Sequence, residues 1–518
     1  MTPDTKTASL SLKDVLLATL SGLLMTASFP PGHLFFVAWF ALVPLLKGLE
    51  NTSPSSSFRL GLIAGLAHYL TLIYWIIVVL GRYGNLNIIF STTALLLLSL
   101  YLALYLALFS SLISYSKNSR FSLFFMAAFW VALEYVRTKL LTGFPWCLLG
   151  YTQYKQSYLI QIADIFGVYG LSFLIVLVNG LIFHLLFRRM GRYSAFLKWE
   201  ILVVVLIFAG TLGYGYSRFS ELGMDKGTEY HVNAVIVQPN IDQSIKWDPA
   251  YQMHTITTYQ RLTRSAYGFR PQLIVWPETS LPFFFQDNPE FSAGMVSLAR
   301  ESNAAFIFGS PAYRRIRGIT RYYNRAYYIS SDGASTEHYD KIHLVPFGEY
   351  IPLKKFFPFI NRLVPAAGDF AAGKRLAPLC NNGLSLGLLI CFEAIFPELS
   401  RNLTVQGANI LINLTNDAWF GMTSAPYQHL SMAVFRSVEN KRPMIRAANT
   451  GFSAFIGPNG RILASGDLFT QEVLERSITV SDRPLTLYSR FGDIFALTLF
   501  VISLLKVISC LFTKWRFR

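Results

Sequence analysis

Apolar residues are concentrated in long runs over the first 217 positions of the chain and in one further run near its end. An apolar stretch of about 20 residues is long enough to cross a bilayer as a helix. The first two runs are shorter and are separated only by Pro30, Pro31 and Gly32, so we expect a hairpin or a shallow pair there. The pattern predicts a membrane α-helical bundle of about eight spans, at 15–29, 34–46, 60–80, 88–115, 121–136, 169–187, 201–216 and 494–512.

The chain between the seventh and eighth runs has a different rhythm, in which short apolar stretches alternate with amphipathic ones. Helices are predicted at 251–266, 290–301 and 427–440, and strands at 233–237, 273–276, 305–308, 326–329, 384–390, 410–414, 453–456 and 462–464. Asn459 and Gly460 lie between the last two strands and are a strong hairpin signal. We therefore expect spans one to seven in residues 1–217, an α/β domain in 218–487, and the last span with a tail in 488–518.

Composition and charge fit this division. Apolar residues make up 53% of the chain and charged residues only 14%, a poor fit to a wholly soluble protein of 518 residues. The net charge of +16 does not indicate nucleic-acid binding, because the basic residues are spread through loops. Thirteen lysines and arginines fall on one side of the predicted bundle, and the other side's short loops carry only Arg82, Arg137, Lys139 and Lys155. The positive-inside rule then predicts a multi-pass protein with an extracytoplasmic α/β domain, which in a bacterium lies in the inner membrane with this domain facing the periplasm.

Two polar features of the predicted bundle have open interpretations. Glu134 and Arg137 are one helical turn apart and can pair on one face, next to the apolar, re-entrant-looking sequence Gly-Phe-Pro-Trp at 143–146. The alternative is a helix-end ion pair beside an interfacial aromatic anchor. The four cysteines have no metal-type spacing, but a Cys380–Cys391 disulfide stays open.

Three residues at the ends of predicted strands could perform chemistry together. Cys391 follows the strand at 384–390 and precedes what we predict to be the opening turns of a helix, where N–H groups favour a thiolate and an oxyanion. Glu278 follows the strand that ends at Trp276, and Lys341 precedes an apolar stretch that could bury it. Each has an ordinary alternative: a buried cysteine, a capping glutamate and a solvated lysine.

Cysteine, glutamate and lysine form a sufficient set for acyl transfer. The glutamate takes the thiol proton, and the lysine holds the oxyanion, with the Phe392 N–H as a second donor. Glu349, in the same segment as Lys341, could orient the lysine. This chemistry requires no metal ion and no cofactor.

Several motifs then occur in order: Trp-Pro-Glu at 276–278, His-Leu-Val-Pro-Phe-Gly-Glu at 343–349, Cys-Phe-Glu at 391–393 and Asn-Asp-Ala-Trp-Phe-Gly at 416–421. With the Gly-Phe-Pro-Trp sequence at 143–146, they make the chain resemble the apolipoprotein N-acyltransferase family, the membrane-embedded branch of the nitrilase, or carbon–nitrogen hydrolase, superfamily. The resemblance covers nearly the whole chain. It implies an extracytoplasmic nitrilase-like α-β-β-α sandwich.

The resemblance also implies roles for individual residues. Glu278 would be the general base, Lys341 the oxyanion stabiliser and Cys391 the nucleophile. Glu349 would support the lysine, and Glu393 would hold the active-site loop. The implied substrate contacts are Trp247 on a mobile loop, and less strongly Asn324 and Trp419. Phe392 stands where some members have a tyrosine, so a hydroxyl role at this position is not carried over.

The reaction implied by the resemblance is a two-step acyl transfer. Cys391 takes an acyl chain from a glycerophospholipid, and the thioester then acylates the α-amino group of the N-terminal diacylglyceryl-cysteine of an apolipoprotein. Both partners lie in the lipid bilayer, where membrane spans hold the site close to them. The phenylalanine-rich segments 283–285 and 356–359 could be lipid-facing lids or ordinary core.

Two other functions remain open from the sequence. A membrane-tethered amidase of the nitrilase type would use the same three catalytic residues on small amides. A transporter or receptor with an extracytoplasmic sensory domain is less well supported, because the predicted spans carry few charges near the membrane midplane.

Overall fold

The computed structural model describes residues 10–116, 121–187, 194–222, 229–351, 369–381 and 383–516. The chain divides into two compact units. The first contains Met1–Ile77, Ile88–Ser217 and Asp493–Arg518, and the second contains Val78–Asn87 and Arg218–Gly492. The short segment Val78–Asn87 therefore groups with the α/β part of the chain, although it lies between two apolar runs in the sequence.

The first unit is helical. Its α-helices are Leu12–Ala27, Val43–Gly48, Pro54–Leu72, Ile76–Val78, Ile88–Ser116, Ser122–Lys139, Ala163–Phe166, Val168–Phe187, Ser194–Leu222 and Ile494–Arg516, with 3-10 turns at Phe35–Trp39, Leu149–Gln153 and Leu159–Ile162. Helix Pro54–Leu72 packs closely on Ile88–Ser116 because Gly65 has no side chain. A Cβ at Gly65 would lie 2.7 Å from the Cα of Ala103.

Four helices among the described residues are long and apolar enough to cross a membrane: Ile88–Tyr115, Val168–Phe187, Lys198–Glu221 and Ile494–Phe512. The pair Pro54–Leu72 and Ile76–Tyr83 is bent by 52° and would make a fifth if it were one span. The first predicted run forms a helix of only 16 residues, and the second breaks into the short helices Phe35–Trp39 and Val43–Gly48. Helix Ser122–Lys139 has 18 residues but contains three charged ones. The count of eight spans stays a prediction.

Glu134 and Arg137 hold the loop that follows their helix. Glu134 Oε1 accepts a hydrogen bond from the Leu149 N–H over 2.8 Å, and Arg137 donates to the Tyr69 hydroxyl and to the Cys147 carbonyl. Trp146 in this loop is 1% exposed, and its ring lies 4.8 Å from that of Trp75. The interfacial-anchor interpretation of this tryptophan is therefore wrong, because the ring is enclosed by protein.

In the residues that the structure describes, the second unit contains two six-stranded sheets, in the orders β12-β1-β2-β3-β4-β5 and β11-β10-β9-β8-β7-β6. The strands are β1 Glu229–Gln238, β2 Leu273–Val275, β3 Ala305–Ile316, β4 Ile319–Ile329, β5 Thr336–Asp340, β6 Leu379–Asn381, β7 Leu384–Ile390, β8 Ile410–Thr415, β9 Met444–Ala448, β10 Ala454–Ile456, β11 Ile462–Ser465 and β12 Glu472–Ser481. The central pairs β1–β2, β2–β3, β7–β8 and β8–β9 are parallel, and the outer pairs are antiparallel.

Alternating apolar residues build two cores around the first sheet. Ala234 and Ile236 of β1 belong to a core shared with β7 and β8 of the second sheet. Val235 and Val237 point the other way, into a core with helices Gln252–Ser265 and Pro289–Ser302. Val235 and Val237 thus pack the outer face of the first sheet against helices.

Helices also cover the second sheet. A Cβ at Gly387 in β7 would lie 3.2 Å from the Leu403 Cβ of helix Pro397–Val405, while the neighbouring Leu386 and Leu388 face the shared core. Helix Ala425–Asn440 lies against Pro397–Val405. The layers run helix, sheet, sheet, helix, as the resemblance implied.

All eight predicted strands and all three predicted helices of this unit are present, with shifted ends. The α-helix predicted directly after Cys391 begins later than expected, because a 3-10 turn, Cys391–Ile395, comes first and the α-helix begins at Pro397. Phe283 and Phe285 are buried in the core of the first sheet, so the lid interpretation of that segment is wrong. The second predicted lid, at 356–359, lies outside the described residues.

Candidate active site

The three candidate catalytic residues follow strands of both sheets. Glu278 lies three residues beyond β2 and Lys341 directly after β5, in the first sheet. Cys391 directly follows β7 in the second sheet. Side chains at the carboxyl ends of the parallel strands β2 and β7 are thus brought to a common place where the two sheets pack together.

Glu278 is held by an amide and faces an ammonium. Its side chain is buried, and Oε1 accepts a hydrogen bond from Asn324 Nδ2 over 2.7 Å. Lys341 Nζ lies 3.8 Å from the same oxygen. The carboxylate is therefore fixed on one side and keeps a second oxygen for proton transfer.

Lys341 is 1% exposed, and its charge is balanced by two carboxylates. Its Nζ lies 2.9 Å from Glu349 Oε2, with Glu278 beyond it. Burial opposes the charge, but Glu349 and Glu278 outweigh it and raise the pKa of Lys341 above its ordinary value. The ammonium thus stays charged and can stabilise a developing oxyanion.

Cys391 has a strained backbone and a protonated thiol. Its φ of 51° lies in the left-handed region, which is uncommon for a residue other than glycine. Burial and the charge of Glu278 raise the pKa of the thiol to about 12, while Lys341 and a hydrogen bond with Thr415 act in the opposite direction. The resting group is a thiol, so it needs a base at the moment of attack, and Glu278 is the neighbouring carboxylate.

Glu393 connects the cysteine turn to the lysine segment. Its Oε2 accepts from the Ile390 N–H over 2.7 Å, and its Oε1 accepts from the N–H groups of Ile342 and His343 and from the Tyr339 hydroxyl. Burial raises the pKa of Glu393, and these hydrogen bonds oppose that rise. One carboxylate therefore fixes the distance between the segments that carry Cys391 and Lys341.

The structure brings together Glu278, Lys341, Cys391, Glu349, Asn324 and Glu393 through these contacts. Phe392 packs beside them, with its ring 5.2 Å from that of Phe396. Trp247 and Trp419 are 50% and 39% exposed and lie outside this hydrogen-bonded set. Their segments meet where Asn416 Nδ2 donates to Gln243 Oε1 over 2.7 Å, and Trp419 packs edge-on against Tyr83.

Two groups near the site were missed from the sequence. Lys246 is buried and donates to the main-chain carbonyl of Glu278 over 3.3 Å, and burial lowers its pKa to about 8. The other group is Asp417, His429 and Arg446, beneath Cys391. Lys246 could have been found from the sequence because it stands next to Trp247, the tryptophan carried over from the family resemblance. For the second, only Asp417 lies in a motif noted from the sequence, at 416–421, and His429 and Arg446 come from two other elements.

The described part of the chain contains no group of three or more histidine, cysteine, aspartate or glutamate residues arranged to hold a metal ion. All four cysteines are free, so the Cys380–Cys391 disulfide considered from the sequence is wrong.

Sequence and structure comparisons relate the chain to known proteins. A family model described as apolipoprotein N-acyltransferase N-terminal domain matches residues 21–181, and one described as carbon-nitrogen hydrolase matches residues 233–484. A solved carbon–nitrogen hydrolase from Helicobacter pylori is similar at 20% identity and a TM-score of 0.37, over 48% of this chain and 89% of its own.

Two curated relatives are similar over nearly their whole length. The apolipoprotein N-acyltransferase of Geobacter metallireducens is 44% identical over 488 residues, which is 93% of this chain and 92% of the relative. That of Methylococcus capsulatus is 34% identical over 472 residues, 89% of this chain and 90% of the relative. The chain therefore belongs to the apolipoprotein N-acyltransferase family.

Proposed function

We propose that this acyltransferase moves a fatty acyl chain from a glycerophospholipid to the α-amino group of the N-terminal diacylglyceryl-cysteine of an apolipoprotein, through a thioester on Cys391. The observation that supports it best is the set of charges around that thiol. Cys391 is protonated at rest, and Glu278 and Lys341 both act electrostatically on it. A base and an oxyanion partner are thus both present at one nucleophile.

In the first step Glu278 removes the proton of the Cys391 thiol as Sγ attacks the ester carbonyl of the phospholipid. The negative charge on the carbonyl oxygen is stabilised by Lys341 and by the Phe392 N–H. The carbon–oxygen ester bond then breaks, and Glu278 returns the proton to the leaving lysophospholipid oxygen. The product of this step is an acyl thioester on Cys391.

In the second step the acceptor's amine attacks the thioester. Glu278 takes one proton from the amine nitrogen, the carbon–sulfur bond breaks, and the proton returns to the sulfur of Cys391. The new bond is an amide, and the resting thiol is restored. Glu349 and Glu393 act by holding Lys341 and its segment, and Trp247, Asn324 and Trp419 are the proposed substrate-side residues.

The proposed setting is the bacterial inner membrane, with eight spans in residues 1–217 and 488–518 and the 218–487 domain in the periplasm. The positive-inside distribution of lysine and arginine supports this orientation. Cys380 is exposed and offers a direct test. A membrane-impermeant maleimide should label it in intact spheroplasts but not in Cys380→Ser, and labelling only after permeabilisation would contradict the orientation.

The reaction is tested by intact mass of the purified chain after incubation with phospholipid. Wild type should gain one acyl mass that hydroxylamine removes, and Cys391→Ala should gain none. Adding a diacylglyceryl peptide should then release the adduct as an N-acylated product. Release of ammonia from small amides without any lipid product would favour the amidase instead.

A further inference from the structure

A buried polar cluster lies directly beneath the nucleophile and has no role in the steps above. It consists of Asp417, His429 and Arg446, whose side chains are fully buried. Arg446 Nη2 donates to Asp417 Oδ2 over 2.8 Å, and the Thr415 hydroxyl donates to Asp417 Oδ1 over 3.0 Å. Arg446 holds the pKa of Asp417 well below its usual range despite burial. A charged pair sealed in the protein interior therefore surrounds the His429 ring.

The cluster reaches Cys391 through the main chain. His429 Nε2 lies 3.3 Å from the carbonyl oxygen of Cys391, and Asn413 Nδ2 donates to the same oxygen over 3.3 Å. Asn413 Oδ1 in turn accepts a hydrogen bond from Arg446. Two side chains fixed by one arginine thus converge on the carbonyl of the nucleophile.

The contacts of the His429 ring decide which nitrogen carries the proton. Nδ1 lies 3.0 Å from both Arg446 Nη2 and Asp417 Oδ1. A proton on Nδ1 would face the guanidinium, which can only donate, and would leave a lone pair of Nε2 against the Cys391 carbonyl. With the proton on Nε2, that nitrogen donates to the Cys391 carbonyl and Nδ1 accepts from Arg446 Nη2. The one unfavourable contact is then between the Nδ1 lone pair and Asp417 Oδ1. Burial and Arg446 lower the pKa of His429, which keeps the ring neutral.

A fixed carbonyl also fixes the N–H of the next residue. The peptide group is planar, and in its trans form the C=O and N–H bonds point in opposite directions. The Cys391–Phe392 peptide is trans. Holding the Cys391 oxygen on the buried side therefore points the Phe392 N–H to the opposite side. Hydrogen bonds to the carbonyl also polarise the same peptide and strengthen its N–H as a donor.

We propose that His429 and Asn413, held by Asp417 and Arg446, are positioning residues that orient the Cys391–Phe392 peptide so that its N–H stabilises the oxyanion. This inference rests on the proposed function of Cys391 as the acylated nucleophile. The contacts of His429 and Asn413 also explain how Cys391 keeps its left-handed backbone conformation, because a strained conformation persists only where several surrounding contacts hold it in place.

The test separates oxyanion stabilisation from thiol reactivity. Alkylation of Cys391 by iodoacetamide is a displacement that forms no oxyanion, whereas thioester formation from phospholipid does. Both rates are measured by intact mass on the full chain for wild type, His429→Phe and His429→Gln, together with the unfolding temperature. Asn413→Ala is compared with Asn409→Ala, a buried asparagine beside β8 whose side chain contacts Gly383, Tyr230 and the Ser385 N–H and does not reach Cys391.

We expect His429→Phe and Asn413→Ala to slow thioester formation by at least about tenfold, toward the 100- to 1,000-fold typical of losing one oxyanion donor. In the same two variants the rate of alkylation should change by less than about threefold. Asn409→Ala should leave both the thioester and the alkylation rates unchanged. His429→Gln retains an N–H donor and should recover part of the loss.

An equal fall in both rates, or an unchanged rate of thioester formation in His429→Phe, would overturn the proposal. If the wild type itself formed no thioester, the proposed function would fail along with it. A wild-type thioester with an unaffected His429→Phe variant would overturn this proposal and leave the proposed function standing.

Discussion

Asn324 Nδ2 donates a hydrogen bond to Glu278 Oε1 over 2.7 Å. The same nitrogen lies 2.8 Å from Glu349 Oε1, so one amide group bridges the two carboxylates on either side of Lys341. Asn324, which the family resemblance makes a substrate contact, thus lies within the charged centre, and its contact with substrate stays a prediction. Its two N–H bonds allow the carboxylates to approach one ammonium without facing each other directly.

Replacing Asn324 with aspartate should slow acyl transfer more than replacing it with alanine. A third carboxylate would repel Glu278 and Glu349 and would add negative charge where the oxyanion develops. Asn324→Ala removes the donors without adding charge and should lower kcat/KM less. Equal losses in the two variants, measured by steady-state kinetics, would show that charge is not the cause. Asn233→Asp, in β1 where the side chain contacts Phe269 and Arg270, is the control.

The thiol of Cys391 should react faster at every step of rising pH. Because its pKa is raised to about 12, the thiolate fraction grows about tenfold for each pH unit between pH 6 and 9. The rate of iodoacetamide alkylation, followed by intact mass with Cys391→Ala as background for Cys380, should rise accordingly without a plateau. A plateau below pH 8 would mean a thiolate already formed at rest.

Glu393→Gln should loosen the segment that carries Lys341. Glutamine has only one accepting oxygen, so its NH2 group must face either the Ile390 N–H or the N–H groups of Ile342 and His343, which places a donor against a donor in the interior. We expect a loss of about 1–3 kcal/mol in the free energy of unfolding, measured by denaturant titration. Faster proteolysis within residues 341–351 should accompany it. Glu290→Gln, at an exposed glutamate, should change neither quantity, and a stable, protease-resistant Glu393→Gln would contradict the role of Glu393.

Truncation of Trp247 should affect substrate binding, whereas truncation of Trp276 should affect stability. Trp247 is half-exposed, so Trp247→Ala should raise the KM for substrate and shift the unfolding temperature little. Trp276 is fully buried and stacks on Tyr259 with a ring distance of 4.5 Å. Trp276→Ala should cost about 3–5 kcal/mol of stability. Thermal unfolding and steady-state kinetics on both variants check this, and a large stability loss in Trp247→Ala would place that ring in the fold rather than at substrate.

Short, mostly apolar stretches predicted the central strands well. Residues 384–390 and 410–414 are apolar apart from Ser385, Gly387 and Asn413, and both form parallel strands of the second sheet. Cys391 could be singled out because it directly follows one of these stretches. Glu278 was found in the same way, and Lys341 was found from the apolar stretch that follows it, with the family motifs adding their roles.

The missed elements have identifiable causes. Strand β9, Met444–Ala448, is entirely buried but contains Arg446, and a charged residue conceals a core strand from any hydrophobicity pattern. Strand β12 contains Glu475 and Arg476, and two adjacent charged residues favour the prediction of an exposed loop over that of a strand. The contact between His429 and Cys391 joins residues 38 positions apart on different elements, and spacing alone cannot predict it.

The pairing of β1 with β12 sets the order in which this enzyme can become active during its own synthesis. Residues 229–238 pair with residues 472–481, so the first sheet is completed by the last strand to be translated. The cysteine, the glutamate and the lysine all emerge from the ribosome before that strand exists. A chain that stalls short of residue 472 would therefore carry every reactive group but lack the closing strand, and reactivity should arise only as translation nears its end.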